Sequence, residues 1–112
     1  MIAGKQREIC NRYDADYAPP EVGSMVAISD SALQGQFPLH GLRYPPEVGP
    51  TQWFIWGGEY SEADDFFKNL HIHHLEELCP AVLPYLALPS TWRFLIARDY
   101  EDVWSDSSLQ SA

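Results

Sequence analysis

Four histidines and sixteen carboxylates are the residues of this chain whose types and spacing bear on chemistry. Three of the histidines stand together in His71-Ile72-His73-His74. Imidazole is a common zinc ligand, and a pair four apart on a helix makes a strong ligand set. The spacings here are two, one and three. They supply two ligands, and a third has to come from His40 or a distant acid. No HExxH motif accompanies them. The expected role is structural, with the rings capping, stacking or facing water and no bound metal. A small metal-dependent enzyme built on His71–His74 stays open as an alternative.

The carboxylates form two groups. Glu59, Glu62, Asp64 and Asp65 make one; Asp99, Glu101, Asp102 and Asp106 make the other. Paired carboxylates can hydrolyse glycosides or hold metals, but both uses need a sizeable cleft. The DxDxDG loop of a calcium hand is absent, and so are GxSxG, GxGxxG and a phosphate-binding lysine after Gly57-Gly58. No catalytic residue is therefore assigned, no cofactor is expected, and the chain reads as a non-enzyme.

Charge points to a partner instead. The 112 residues carry 16 acids and 7 bases, a net charge of −9. Residues 1–56 hold 6 acids and 4 bases, whereas residues 57–112 hold 10 acids and 3 bases. Binding to nucleic acid or to an anionic membrane needs clustered Lys and Arg, which this balance excludes. A solvated acidic surface is the plain reading. A docking surface for a basic protein is the functional one, because complementary charge steers encounter. Aromatic anchors would complete it. The candidate surface is Glu59, Tyr60, Glu62, Asp64 and Asp65 together with Tyr100, Glu101, Asp102 and Trp104. Oligomeric state is not set by the sequence, and a structural or oligomerising accessory domain is the third reading.

The elements that must position these residues follow from apolar spacing. Residues 1–21 read as a short helix or arm, with a helix over Gly4–Tyr13 and a stiff Pro19-Pro20 connector. Residues 22–106 read as one domain, and 107–112 as a flexible polar tail. Strands are expected at 23–29, 39–44, 51–57, 92–97 and 102–105, with a loop through Pro45, Pro46 and Pro50, whose missing N–H groups cannot join a ladder. Asp30 stands where a helix cap belongs, with Gly35 as the stop. Ser61-Glu62-Ala63-Asp64 fits a capping box, so a second helix is expected from Ser61, with Phe66, Phe67 and Leu70 facing inward. From Ile72, apolar residues recur at offsets 0, 3, 7, 10, 11 and 14, a helical period that Pro80 must break. The sum is an α+β domain: a mainly antiparallel sheet of about five strands with two or three short helices on one side. Trp53, Ile55, Phe94 and Ile96 are its expected core. No apolar signal segment opens the chain and the two cysteines, Cys10 and Cys79, form no CxxC pair. A reduced, cytoplasmic protein with buried thiols is expected.

One resemblance sharpens the partner. A strand ending in Ser29-Asp30 with Leu33 behind it, then a strand carrying Trp53 and followed by Gly58-Glu59, resembles the SD..L element and the GW…GxE strand of a family of small bacterial immunity proteins from polymorphic-toxin systems. The likeness runs over about residues 23–60. It implies a non-enzymatic bacterial protein that binds and blocks a cognate toxin, here expected to be a basic toxin domain. It assigns no binding residues.

Overall fold

The structure is a computed structural model and describes residues 2–21, 23–45 and 52–111. The loop expected at Pro46–Pro50, the strand start at Thr51 and the boundary at Val22 lie outside the described residues.

Short apolar runs bounded by Gly, Pro and Ser build the sheet. The strands are β1 (Met25–Ser29), β2 (Leu39–Arg43), β3 (Trp53–Gly57), β4 (Phe67–His71), β5 (Trp92–Ala97) and β6 (Tyr100–Ser105). Their order is β4-β1-β3-β2-β5-β6. β1 and β3 run parallel, and the other pairs are antiparallel. The helices are α1 (Ile2–Arg12), α2 (Asp30–Leu33) and α3 (Leu75–Leu78), with 3-10 turns at Ile72–His74, Pro80–Tyr85 and Ser107–Ser111. The fold class is the expected one, α+β and mostly antiparallel.

The sixth strand is the main correction. No helix opens at Ser61. Ser61 Oγ does accept from the Ala63 N–H at 3.1 Å, so the cap bond forms, but it closes a turn. The chain then extends, and Phe67–His71 pairs residue for residue with Ser29–Met25. Phe-Phe-Lys-Asn-Leu is a poor helix and a fair edge strand, with Lys68 blunting the open edge. Phe66, Phe67 and Leu70 are half-buried. Two smaller shifts are local. Ser29, not Asp30, is the cap of α2, since its Oγ accepts from the Ala32 N–H at 3.2 Å. The last hairpin turns on Arg98-Asp99 alone, so β6 begins at Tyr100.

The two faces of the sheet differ. Val26, Ile28, Leu39, Trp53, Ile55, Phe94 and Val103 point to one side and are buried under Ile9 and Cys10 of α1, Leu75 of α3, and Val82, Leu83 and Leu86. Trp53 is 2 % exposed and donates its indole N–H to Leu86 O at 3.1 Å. Ile96, the fourth of the expected core residues, is half-buried against this cluster. The helical period from Ile72 survives as the buried stripe, although Cys79 leaves helical geometry at φ −156° before Pro80. Cys10 and Cys79 are free, buried thiols, and burial raises the pKa of both. On the opposite face Leu42, Trp56 and Leu109 form a smaller buried cluster, with Tyr44, Phe54, Phe66 and Phe67 packed on it. Residues 107–111, read from sequence as tail, thus lay Leu109 onto the sheet.

Candidate partner-binding surface

The β3–β4 connection gathers the first acidic group. The chain leaves β3 through Gly58 at φ +69°, a conformation that glycine takes without strain. Glu59, Glu62, Asp64 and Asp65 follow, all exposed, and none is in an ion pair among the described residues. Tyr60 lies within them and is 57 % exposed. Its ring packs edge-on against Trp56 at 5.3 Å and Phe66 at 5.6 Å between centroids. Trp56 is in turn fixed by His40, stacked at 5.0 Å and 10°, and by Phe67. An exposed tyrosine is thereby held on an aromatic base, with unpaired carboxylates on both sides of it in the chain. Burial lowers the pKa of His40, and the nearby Arg93 adds to this, so the stacked imidazole is held toward its neutral form.

The second group lies on the edge strand β6. Asp106, whose N–H donates to Thr91 O, lies at the far end of the strand, but the cross-strand pairs Gly57–Leu39, Leu39–Ile96 and Ile96–Glu101 place Glu101, with Asp99 and Asp102 beside it in the chain, at the same end of the sheet as the first group. β3 and β6 are three strand spacings apart there, about 14 Å. Tyr100 is 55 % exposed at the hairpin tip. Asp102 is exposed opposite Leu95. Trp104 is half-buried with the Arg93 guanidinium 5.6 Å from its ring, and Arg93 also pairs with Asp106 at 3.2 Å.

Glu101 is set apart from the other candidates, because alternation along β6 turns it to the helix-covered face. Its carboxylate accepts from Arg12 Nη1 at 2.6 Å and from the Tyr13 and Tyr85 hydroxyls at 2.5 Å each. It therefore ties the end of α1 to the sheet edge. Burial acts to raise its pKa, but the hydrogen bonds from Tyr13, Tyr85 and Arg12 outweigh it and hold the carboxyl below the usual range. A depressed acid contributes stability that is present above its unfolded pKa and lost as pH falls through its folded one. Glu101→Gln is expected to cost about 1–3 kcal/mol at pH 7, the scale of hydrogen bonds to a charged group. Urea melts at pH 7 and pH 3 check this: the gap between wild type and variant should narrow at the lower pH.

The histidines come together without forming a ligand set. His71, His73 and His74 have ring centroids 4.2 to 6.2 Å apart, all three are exposed, and His71 Nδ1 lies 3.3 Å from Gly23 O. Among the described residues, no group of three or more His, Cys, Asp and Glu is arranged to hold a metal ion. His73→Ala is expected to change stability by less than about 0.5 kcal/mol, as at an ordinary surface position; a thermal melt with and without added zinc is the check.

No helix among the described residues is long and apolar enough to cross a membrane. Comparison with known families matches residues 5–106 to the Imm33-like domain. No curated protein and no solved structure matches the chain.

Proposed function

The chain belongs to the Imm33-like family, non-enzymatic immunity proteins of polymorphic toxin systems, and from that premise we propose that it neutralises a basic toxin domain through its acidic, aromatic sheet end. Family membership implies a cognate toxin as the partner. The observation that carries the choice of surface is Tyr60: exposed, packed against Trp56 and Phe66, and flanked by four carboxylates with no cation partner among the described residues. Interfaces draw most of their binding energy from a few aromatic and charged anchors, and rigid ones lose least entropy on binding. The free carboxylates supply long-range attraction, so the toxin is captured first by charge and then seated on Tyr60. Tyr100 and Asp102 extend the same end toward β6. Glu101 supports this surface from behind by holding α1 and β6 together. Neutralisation then follows from occlusion, with no chemistry by the immunity protein.

Replacing both Asp64 and Asp65 by Asn tests the steering step. Association with the cognate toxin should slow about three- to tenfold at low salt, a modest part of the range that steering spans. The dependence of the association rate on ionic strength should flatten. Stopped-flow mixing at two salt concentrations reads both, and an unchanged association rate at low salt removes this loop from the interface.

A further inference from the structure

A second site lies at the other end of the sheet, where β1 and β3 begin. A cleft of about 470 Å3 opens there, lined by residues that include Pro19, Glu21, Arg43, Gln52, Trp53 and Ser90. That volume is within the range of small-molecule sites, roughly 300–1,000 Å3. Among the described residues its wall holds one cation, Arg43, which is 8 % exposed. Nε donates to Gln52 Oε1 at 3.0 Å, and Nη1 donates to Ala18 O and Leu88 O at 2.7 Å each. All three acceptors are neutral. Among the described residues no carboxylate pairs with this guanidinium, and Nη2 makes no hydrogen bond. A buried charge without a counter-charge is costly, and in a chain of net charge −9 a paired carboxylate would have been easy to supply.

The neighbours reinforce the point. Gln52 spends its oxygen on Arg43, which leaves its amide N–H groups as donors on the cleft wall. Ser90 adds a hydroxyl that makes no hydrogen bond among the described residues. The turn that presents Ser90 is strained: Thr91, a β-branched residue, is held at φ +73°, and its N–H donates to Arg43 O at 2.7 Å. Trp53 supplies an apolar wall, and its ring lies 5.9 Å from the guanidinium.

We propose that this cleft binds a carboxylate, held by Arg43, the Gln52 amide and the Ser90 hydroxyl. With Nε and Nη1 already engaged, Nη2 is the guanidinium nitrogen left to donate, and a charge-assisted N–H to carboxylate bond is about twice as strong as a neutral one. One buried positive charge, with the exposed Glu21 at the rim, suits a singly charged anion and disfavours a phosphate dianion. The carboxylate has two natural sources, a small organic acid or the C-terminus of a peptide. The site is separate from the toxin surface and does not rest on that reading.

The test is an NMR titration of the 15N-labelled protein at constant ionic strength. N-acetylglycine serves as the small acid, and its amide, N-acetylglycinamide, as the neutral control. A tripeptide with a free C-terminus, paired with its amidated form, probes the second source. Saturable shifts at the Gln52 side-chain amide and the Ser90 backbone amide are expected with the carboxylates and not with the amides. Tighter binding of the tripeptide than of N-acetylglycine assigns the peptide source, and the reverse order the small acid. Ser90→Ala leaves every Arg43 bond in place and should weaken binding about tenfold, the scale of one hydrogen bond to a charged group. Arg43→Gln should abolish it; if that variant fails to fold, the Ser90→Ala titration decides alone. No saturable shift at millimolar carboxylate, equal response to the amides, equal or tighter binding of inorganic phosphate, or unchanged affinity in Ser90→Ala would each overturn the proposal.

Discussion

Phe94→Ala is expected to destabilise the protein by about 3–5 kcal/mol, the usual range for truncating a buried phenylalanine. Phe94 is 1 % exposed and sits where the sheet meets its helical cover. Its ring stacks on Tyr85 at 5.1 Å and leans on Trp53 at 5.5 Å. Below it, Gly41 lets the ring approach the backbone: a Cβ there would fall 2.1 Å from Phe94 Cε2. The two positions are one packing unit, because β2 and β5 pair Gly41 with Phe94 directly. Gly41→Val should therefore be as damaging as the cavity, through a clash that the surrounding close-packed core cannot relieve. Domains of this size have about 5–15 kcal/mol in all, so either change takes a large share. Urea melts of both variants measure this, and a loss under about 1 kcal/mol for Phe94→Ala would mean that the ring is not in the core.

The contrast between those residues and the β3–β4 connection shows what could be read from sequence. Trp53, Ile55 and Phe94 are legible because they lie in short apolar runs of strand length, and nothing distant is needed to interpret such a run. Pro80 broke the helical stripe where it stands, because its missing N–H acts locally. Ser61 misled for a physical reason. Its cap bond exists, but a cap is compatible with a turn as well as a helix, and the decision is made by β1, some forty residues earlier in the chain. With no partner, β1 would expose an apolar edge, and Phe67–His71 removes it.

The candidate site divides in the same way. The acids around Tyr60 are exposed, as charge runs usually are. Charge alone groups Glu101 with them, yet Val103 carries the signal that separates it: a residue two before a buried valine on a strand shares its face. The donors around Arg43 were invisible, since Gln52, Ser90 and the carbonyls of Ala18 and Leu88 converge only once four segments meet. Buried polar arrangements of this kind have no period to betray them. They depend on tertiary contact.

Tyr60→Ala is expected to weaken binding to the cognate toxin by about 2 kcal/mol or more, roughly thirtyfold, as at an interface hot spot. Its effect on folding should be small, because the ring is 57 % exposed and lies on top of Trp56 rather than beneath it. The loss should appear in the dissociation rate, since in the proposed binding mode the ring acts after encounter and the Asp64/Asp65 pair before it. The two variants thus predict opposite kinetic signatures on one surface. Tyr60→Phe separates the contributions of the ring further: it keeps the aromatic face and its edge contacts with Trp56 and Phe66, and removes only the hydroxyl. Retained affinity in Tyr60→Phe with lost affinity in Tyr60→Ala would identify the ring as the anchor. Surface-binding kinetics at constant salt give both rates. Unaltered dissociation in Tyr60→Ala, with a normal melt, would move the toxin contact away from this end of the sheet.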